Sequence, residues 1–150
     1  MPKVDLSAIP RTNRTGYPEP FAAGVAGRFY SRLGPAFGLE DFGASHVVLA
    51  PGAMSSQRHW HEKEDEMVVM LAGEAVLIED SERSIMRPGD IAIFPKNVAN
   101  GHHLVNESAE ECVFVAIGRT GNGMCHYPDI DLRYEGESGT FVHKDGTAYV

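Results

Sequence analysis

No stretch of this chain keeps an apolar period long enough for a ten-residue helix, and its two longest apolar runs, Met67–Ala72 and Cys112–Ile117, hold six residues each. Turn-forming residues stand between the runs: Pro51-Gly52, Gly73, Asp80-Ser81-Glu82-Arg83, Pro88-Gly89-Asp90, Glu107–Glu111 and Gly118. Runs this short, bounded every ~8–12 residues by Gly, Pro and Asp, leave room for strands and hairpins only. The strand patterns are Arg28–Leu33, Ser45–Ala50, Ser55–His61, Glu66–Ala72, Glu74–Glu79, Ile91–Phe94, His102–Asn106 and Cys112–Ile117. Gly34-Pro35 is expected to break the first, and Phe37–Phe42 reads as a turn or one helical turn. Glu66–Ala72 is apolar on both faces, so both are expected to be covered. The tail from Arg119 shows no period. Seven or eight strands predict an all-β barrel or sandwich.

A chain of 150 residues suits one domain. Residues 1–27, with four prolines and little periodicity, read as an extended arm lying across its own domain or a partner subunit; residues 28–150 read as the domain itself. The net charge of −8 argues against nucleic acid, whose backbone draws basic patches, and against an anionic membrane surface. The two cysteines, Cys112 and Cys125, make no disulfide framework, and Cys112 reads as a small core hydrophobe. No leader-like segment or membrane-length apolar run is visible, so a soluble cytoplasmic protein is expected.

Chemistry concentrates at Gln57-Arg58-His59-Trp60-His61. In a strand, His59 and His61 share a face with Gln57 and Ser55, and two imidazoles ~7 Å apart along it can converge on one metal ion. Arg58 and Trp60 then point to the other side, where Trp60 is expected to lie between sheets. Glu66 follows after an acidic loop, and His102 and His103 come later. Four of the seven histidines thus fall in two short segments.

These residues resemble the cupins. Their first motif is G, five residues, HxH, three or four residues, E, six residues, G; here Gly52 is followed by six residues, His59-Trp60-His61, four residues, Glu66, six residues and Gly73. Their second is G, five residues, PxG, two residues, H, three residues, N. Gly89 and Pro95 match it, Asn97 replaces its glycine, and His102 with Asn106 restores its end after a two-residue insertion. With their flanks the motifs cover about residues 43–118. The flanking words Gly16–Phe21 and His126–Leu132 resemble small bacterial single-domain cupins assigned as sugar-phosphate isomerases or oxalate-binding-like proteins. The resemblance implies a double-stranded β-helix, or jelly-roll barrel, with a metal inside. It implies His59, His61, Glu66 and His102 as ligands, with His103 the rival for the fourth place. Ser55, Gln57, Met70 and His126 are the expected lining of the substrate pocket.

Three neutral imidazoles and one carboxylate suit divalent Fe, Mn, Ni, Cu or Zn and leave the site at +1. Six-coordination leaves two positions for a small oxygen-rich ligand: a sugar, a hydroxy or oxo acid, a dicarboxylate or an enediolate. Four-coordinate zinc would close the site as a staple. The readings are therefore a metal-dependent enzyme (isomerase or dioxygenase), a non-catalytic module for a small carboxylate or sugar, or a structural metal. Glu64 and Asp65 read as solvated loop charges. No phosphate clamp is visible, since Arg58 faces away and Lys96 sits at a rim. The outer row Met67, Val69, Leu71 suggests a second layer or a second copy, and a homodimer is expected.

Overall fold

The computed structural model describes residues 3–119 and 121–150. Among them lie twelve strands: β1 (Arg28–Arg32), β2 (Gly43–Leu49), β3 (Trp60–His61), β4 (Glu66–Ala72), β5 (Ala75–Ile78), β6 (Arg83–Met86), β7 (Ile91–Phe94), β8 (His103–Val105), β9 (Cys112–Gly118), β10 (Cys125–Tyr127), β11 (Leu132–Glu135) and β12 (Thr140–Val142). Helix is confined to two 3₁₀ turns and α1 (Leu33–Phe37). The helical turn comes earlier than expected. Pro35 does not stop it, because a proline within the first turn forfeits no internal hydrogen bond. Gly38, at φ 70°, ends it.

One sheet runs β1-β2-β9-β4-β7 and is antiparallel throughout. The opposing wall consists of β6-β5-β8 and β12-β11-β10-β3. Isolated bridges from Met54 to Val105 and from His59 to His102 tie its two parts together. Side chains alternate across these strands, so one row from each wall meets in the middle. Val47, Leu49, Val68, Met70, Phe94 and Phe114 from the first sheet pack there on Ala75, Leu77, Met86 and Leu104 from the other. This is the expected cupin jelly roll.

The tail, without a period in its sequence, is nonetheless ordered into strands. It supplies β10, β11 and β12, and Cys125, Tyr127 and Leu132 pack with Tyr17 and Phe21 of the arm and with Ile130, Tyr134, Phe141 and Tyr149. Strands of three or four residues are too short to show a period, and pairing with one another and with β3 stabilises them instead. The arm lies on its own chain: Thr12 pairs with Tyr30 through two backbone hydrogen bonds of 3.0 and 2.9 Å.

Ser55–Arg58 also differs from expectation. It bends rather than running as a strand, and regular pairing begins only at Trp60. The arm competes for its polar groups. The Tyr17 hydroxyl accepts the Gln57 N–H at 3.3 Å, and the Gln57 amide donates to the Phe21 carbonyl at 2.9 Å.

The motif ends have structural tasks. Gly73 has φ 67°, and a Cβ there would fall 2.5 Å from the Glu111 carbonyl oxygen, so only glycine fits. Asn97, at the motif's glycine position, has φ 58°. Asparagine is among the few side chains tolerated there, and its N–H donates to the His61 carbonyl at 2.8 Å. Asn106 is fully buried. Its amide donates to the Leu49 and Glu110 carbonyls at 2.9 and 2.8 Å, and its oxygen accepts from Ser108 N–H and Oγ at 3.0 and 2.7 Å. Asn106→Asp keeps the shape, loses both donated bonds and turns an anion toward two carbonyls. A loss of about 3 kcal/mol is expected from the unpaired buried groups. That corresponds to a melting temperature lower by roughly 6–12 °C. Calorimetry of the variant checks it; an unchanged melting point contradicts this role.

Candidate metal centre and its cavity

The two histidine segments meet because the chain crosses itself at the His59–His102 bridge, where each backbone N–H donates to the other's carbonyl (3.2 and 2.9 Å). Glu66, the first residue of β4, reaches the same point from the facing sheet. His61 Nε2 lies 3.1 Å from Glu66 Oε1, and His102 Nε2 and His59 Nε2 lie 2.7 and 3.5 Å from Oε2. Metal–nitrogen and metal–oxygen bonds are ~2.0–2.2 Å. Donors around one ion therefore stand ~3.0 Å apart at octahedral right angles and ~3.4 Å at tetrahedral ones. The observed His-to-carboxylate separations bracket that range, and donor atoms of His59, Glu66 and His102 lie within 4.8 Å of one another with His61 beside Glu66, a donor set that suits a divalent transition ion.

The other ring nitrogens strengthen the fit. His59 Nδ1–H donates to the Gln57 carbonyl at 2.9 Å and His102 Nδ1–H to the Asn100 carbonyl at 3.1 Å, while His61 Nδ1 faces Glu64 Oε2 at 3.3 Å. An acceptor behind each Nδ1 would hold the proton there when an ion takes the place of the Nε2–H···Glu66 contacts, leaving the Nε2 lone pair for the ion, as in rings that hold metals. Phe94 stacks on His102 with ring centres 3.6 Å apart and planes 2° apart, which fixes that ring's rotation. Burial would raise the Glu66 carboxyl, but hydrogen bonds from His102, His59 and His61 outweigh it and hold the group far below the ordinary carboxylate range. Glu64, expected to be a solvated loop charge, instead lines the cavity and also accepts the Gly121 N–H at 2.7 Å.

His103 stands apart. Its Nδ1–H donates to the Ser56 carbonyl at 2.8 Å, and it lines the cavity wall without joining the four. Burial holds its imidazole below the ordinary value. Of the expected pocket residues, Ser55 lines the cavity. Three others do not. Gln57 turns to the arm, as above. Met70 shares the inward face of Glu66 but lies too deep, sealed in the core at 1% exposure. His126 pairs across the ladder with Trp60, so it leaves by the opposite face; its ring stacks on the half-buried Trp60 at 4.3 Å and bonds Glu62 at 2.8 Å. A second layer of sheet does not enclose Trp60.

The same register brings in two residues that the sequence reading gave no firm place in the pocket. Cys125 pairs with His61, so its thiol faces the cavity, and so does Tyr127 two residues on. Burial pushes the Tyr17 phenol up to about 12, and burial raises Tyr127 as well, so both rings present neutral hydroxyls.

The cavity measures about 630 Å³, within the usual range of ligand pockets. Its far wall carries arginines other than Arg58. Arg28, Tyr30 and Arg32 form the inward row of β1, and Arg14 and Arg119 join them. Among the described residues none of these four arginines is in an ion pair; the arginines that are paired are Arg58, Arg83, Arg87 and Arg133. Arg28 donates to the Ser55 carbonyl at 2.9 Å, yet its Nε is buried with no partner among the described residues. Alternation in β1 hides this pattern in the sequence, because Phe29 and Ser31 separate the cations. Arg58, by contrast, is spent on Asp129 (2.8 and 2.7 Å), Asp80 and the Gly101 carbonyl outside the cavity.

Comparison with known proteins follows the geometry. The family model of the cupin domain matches residues 45–118. A protein from Silicibacter pomeroyi, described as a sugar phosphate isomerase from a cupin superfamily, is 38% identical over 99% of this chain and 97% of its own, with a TM-score of 0.92. A protein from Acidithiobacillus ferrooxidans carries the sugar phosphate isomerase assignment provisionally; it is 28% identical over 82% of this chain and 80% of its own, with a TM-score of 0.73. A Streptomyces resistomycificus polyketide cyclase shares the fold at 16% identity and a TM-score of 0.62, over 79% of each chain. No curated protein matches the sequence. Among the described residues no helix is long and apolar enough to cross a membrane. Both motifs, the crossing of the chain that joins them and the full-length similarity agree that this chain belongs to the cupin superfamily.

Proposed function

We propose that the protein is a metal-dependent enzyme that isomerises a small phosphorylated sugar or a related anionic hydroxy-carbonyl compound. One observation carries the reading: a single cavity has three histidines around a glutamate at one end and, along another wall, four arginines that form no ion pair among the described residues. In a chain of net charge −8, arginines collected in a pocket argue for an anionic ligand. The assigned activity of the Silicibacter and Acidithiobacillus relatives points the same way.

His59, His61, Glu66 and His102 would hold the ion, which supplies Lewis acidity for polarising a carbonyl or hydroxyl oxygen. The arginines would grip the phosphate and fix the substrate's direction. Tyr17 and Tyr127 offer neutral hydroxyls to substrate oxygens. Isomerisation also needs a base to carry one proton between neighbouring carbons. His103 suits that task, because its Nδ1–H is committed to Ser56 and leaves Nε2 free to accept.

The test is incubation of metal-loaded protein with aldose and ketose phosphates, followed by NMR. Interconversion supports the reading. A sugar phosphate that binds and returns unchanged would make the protein a binding module, and absence of binding by any of them would remove the substrate class.

A second copy is proposed on the outer face of the five-stranded sheet. Met67, Val69 and Leu71 of β4, Ile91 and Ile93 of β7, and Val113, Val115 and Ile117 of β9 point outward there. Ile93, Ile91 and Leu71 are 67%, 58% and 48% exposed. The face expected to be covered is thus bare in one chain, and eight adjoining aliphatic side chains are unusual on a monomer. Light scattering should give a dimer mass for the protein and a monomer mass for Ile93→Glu; a monomer in both cases contradicts the assignment.

A further inference from the structure

The four side chains already described do not exhaust the donors around this void. β10 runs antiparallel to β3 with Cys125 directly opposite His61, and paired residues project to the same face. Cys125 is 3% exposed and lines the same cavity. Its Sγ and one ring nitrogen each of His59 and His61 lie within 4.8 Å of one another. Donor atoms of His59, Glu66 and His102 meet the same limit. The two triangles share His59, which places Cys125 beside the group that holds Glu66 and His102.

We propose that Cys125 is a fifth metal ligand, binding through sulfur beside His59 and His61. The proposal rests on the metal reading above and goes beyond its ligand set. On binding, the S–H bond breaks, the proton passes to solvent and the sulfur electron pair forms the metal–sulfur bond; nothing is oxidised or reduced. Two consequences follow. A thiolate adds a second negative charge, so the site around a divalent ion falls from +1 to neutral. At six-coordination it also leaves one open position instead of two, so a substrate binds through one oxygen unless sulfur departs. The soft donor shifts preference from hard ions such as Mg and Mn toward Zn, Co, Ni and Cu.

The experiment is titration of the purified full chain with Co(II). Visible ligand-field bands report bound cobalt, and a near-ultraviolet charge-transfer band reports a cobalt–thiolate bond. The intact protein should show both. Cys125→Ser should keep the visible bands and lose the charge-transfer band, whereas Cys112→Ser, altering the buried core thiol, should keep both. X-ray absorption of the zinc-loaded intact protein needs no variant and should show a sulfur neighbour at about 2.3 Å. Visible bands without charge transfer in the intact protein, or only nitrogen and oxygen neighbours at ~2.0–2.1 Å, would overturn the proposal but leave the His/Glu site standing. Failure to bind either metal would overturn both.

Discussion

Replacing His61 with alanine is expected to abolish stoichiometric metal binding. Its Nε2 is one of three imidazole nitrogens within 3.5 Å of the Glu66 carboxylate, and its loss leaves a gap that no neighbouring imidazole fills. Removing a group that merely supports a metal ligand costs roughly 10–100-fold in affinity, and removal of a ligand should cost more. Elemental analysis after dialysis should find about one equivalent in the intact protein and almost none in His61→Ala. Metal at a thousandfold excess over its dissociation constant stabilises the folded state by about 4 kcal/mol. Added metal should therefore raise the melting temperature of the intact protein by roughly 8–16 °C and leave the variant unmoved. His102→Ala should behave like His61→Ala. His103→Ala should retain the metal, because its ring nitrogen is held by the Ser56 carbonyl instead. Intact protein that contains no metal and gains no stability from any added divalent ion would defeat the metal-centre reading.

The second large effect is expected at the arginine wall. Loss of one charged hydrogen bond to a phosphate costs about 1.5–3 kcal/mol, or roughly 10–100-fold in affinity. Arg28→Gln should weaken inorganic phosphate and sugar phosphates by that factor and leave an unphosphorylated sugar unaffected. Arg28 also braces the Ser55 carbonyl and lies over the Tyr30 ring, so the substitution can disturb the wall itself. Arg32→Gln separates these effects. Arg32 is exposed and in no ion pair among the described residues, so a weaker phosphate complex at unchanged melting temperature reports recognition alone. Calorimetry with inorganic phosphate on metal-loaded and metal-free protein completes the test. Affinity that both variants leave intact would exclude the arginines as the anchor, whatever the histidines do.

Much of this architecture was legible in the sequence. The Gly-and-Pro punctuation of six-residue apolar runs left only a β fold, and β4, β7 and β9 stand within a residue of the runs that announce them. The pattern works there because these strands bury one face in the core. The spacing of His59, His61, Glu66 and His102 is likewise a property of the chain alone. Alternation across His59, Trp60 and His61 holds and turns both imidazoles to one face, although Ser55–Arg58 is not a strand. The backbone pairing of His59 with His102 fixes where the two histidine segments meet.

Tertiary structure decided everything that depends on which strand lies beside which. The choice between His102 and His103 as neighbour of Glu66 followed from that crossing. Cys125 joined the cavity, and His126 left it, because β10 pairs with β3 in one register; a shift of one residue would have exchanged them. The arginines became a wall only when β1 closed against β2 and the arm. A linear sequence records the local period of each segment, and so it carried the fold class and the motif residues. Contacts between residues far apart along the chain arise from pairing and packing that no single segment encodes, and these determined which side chains share the cavity.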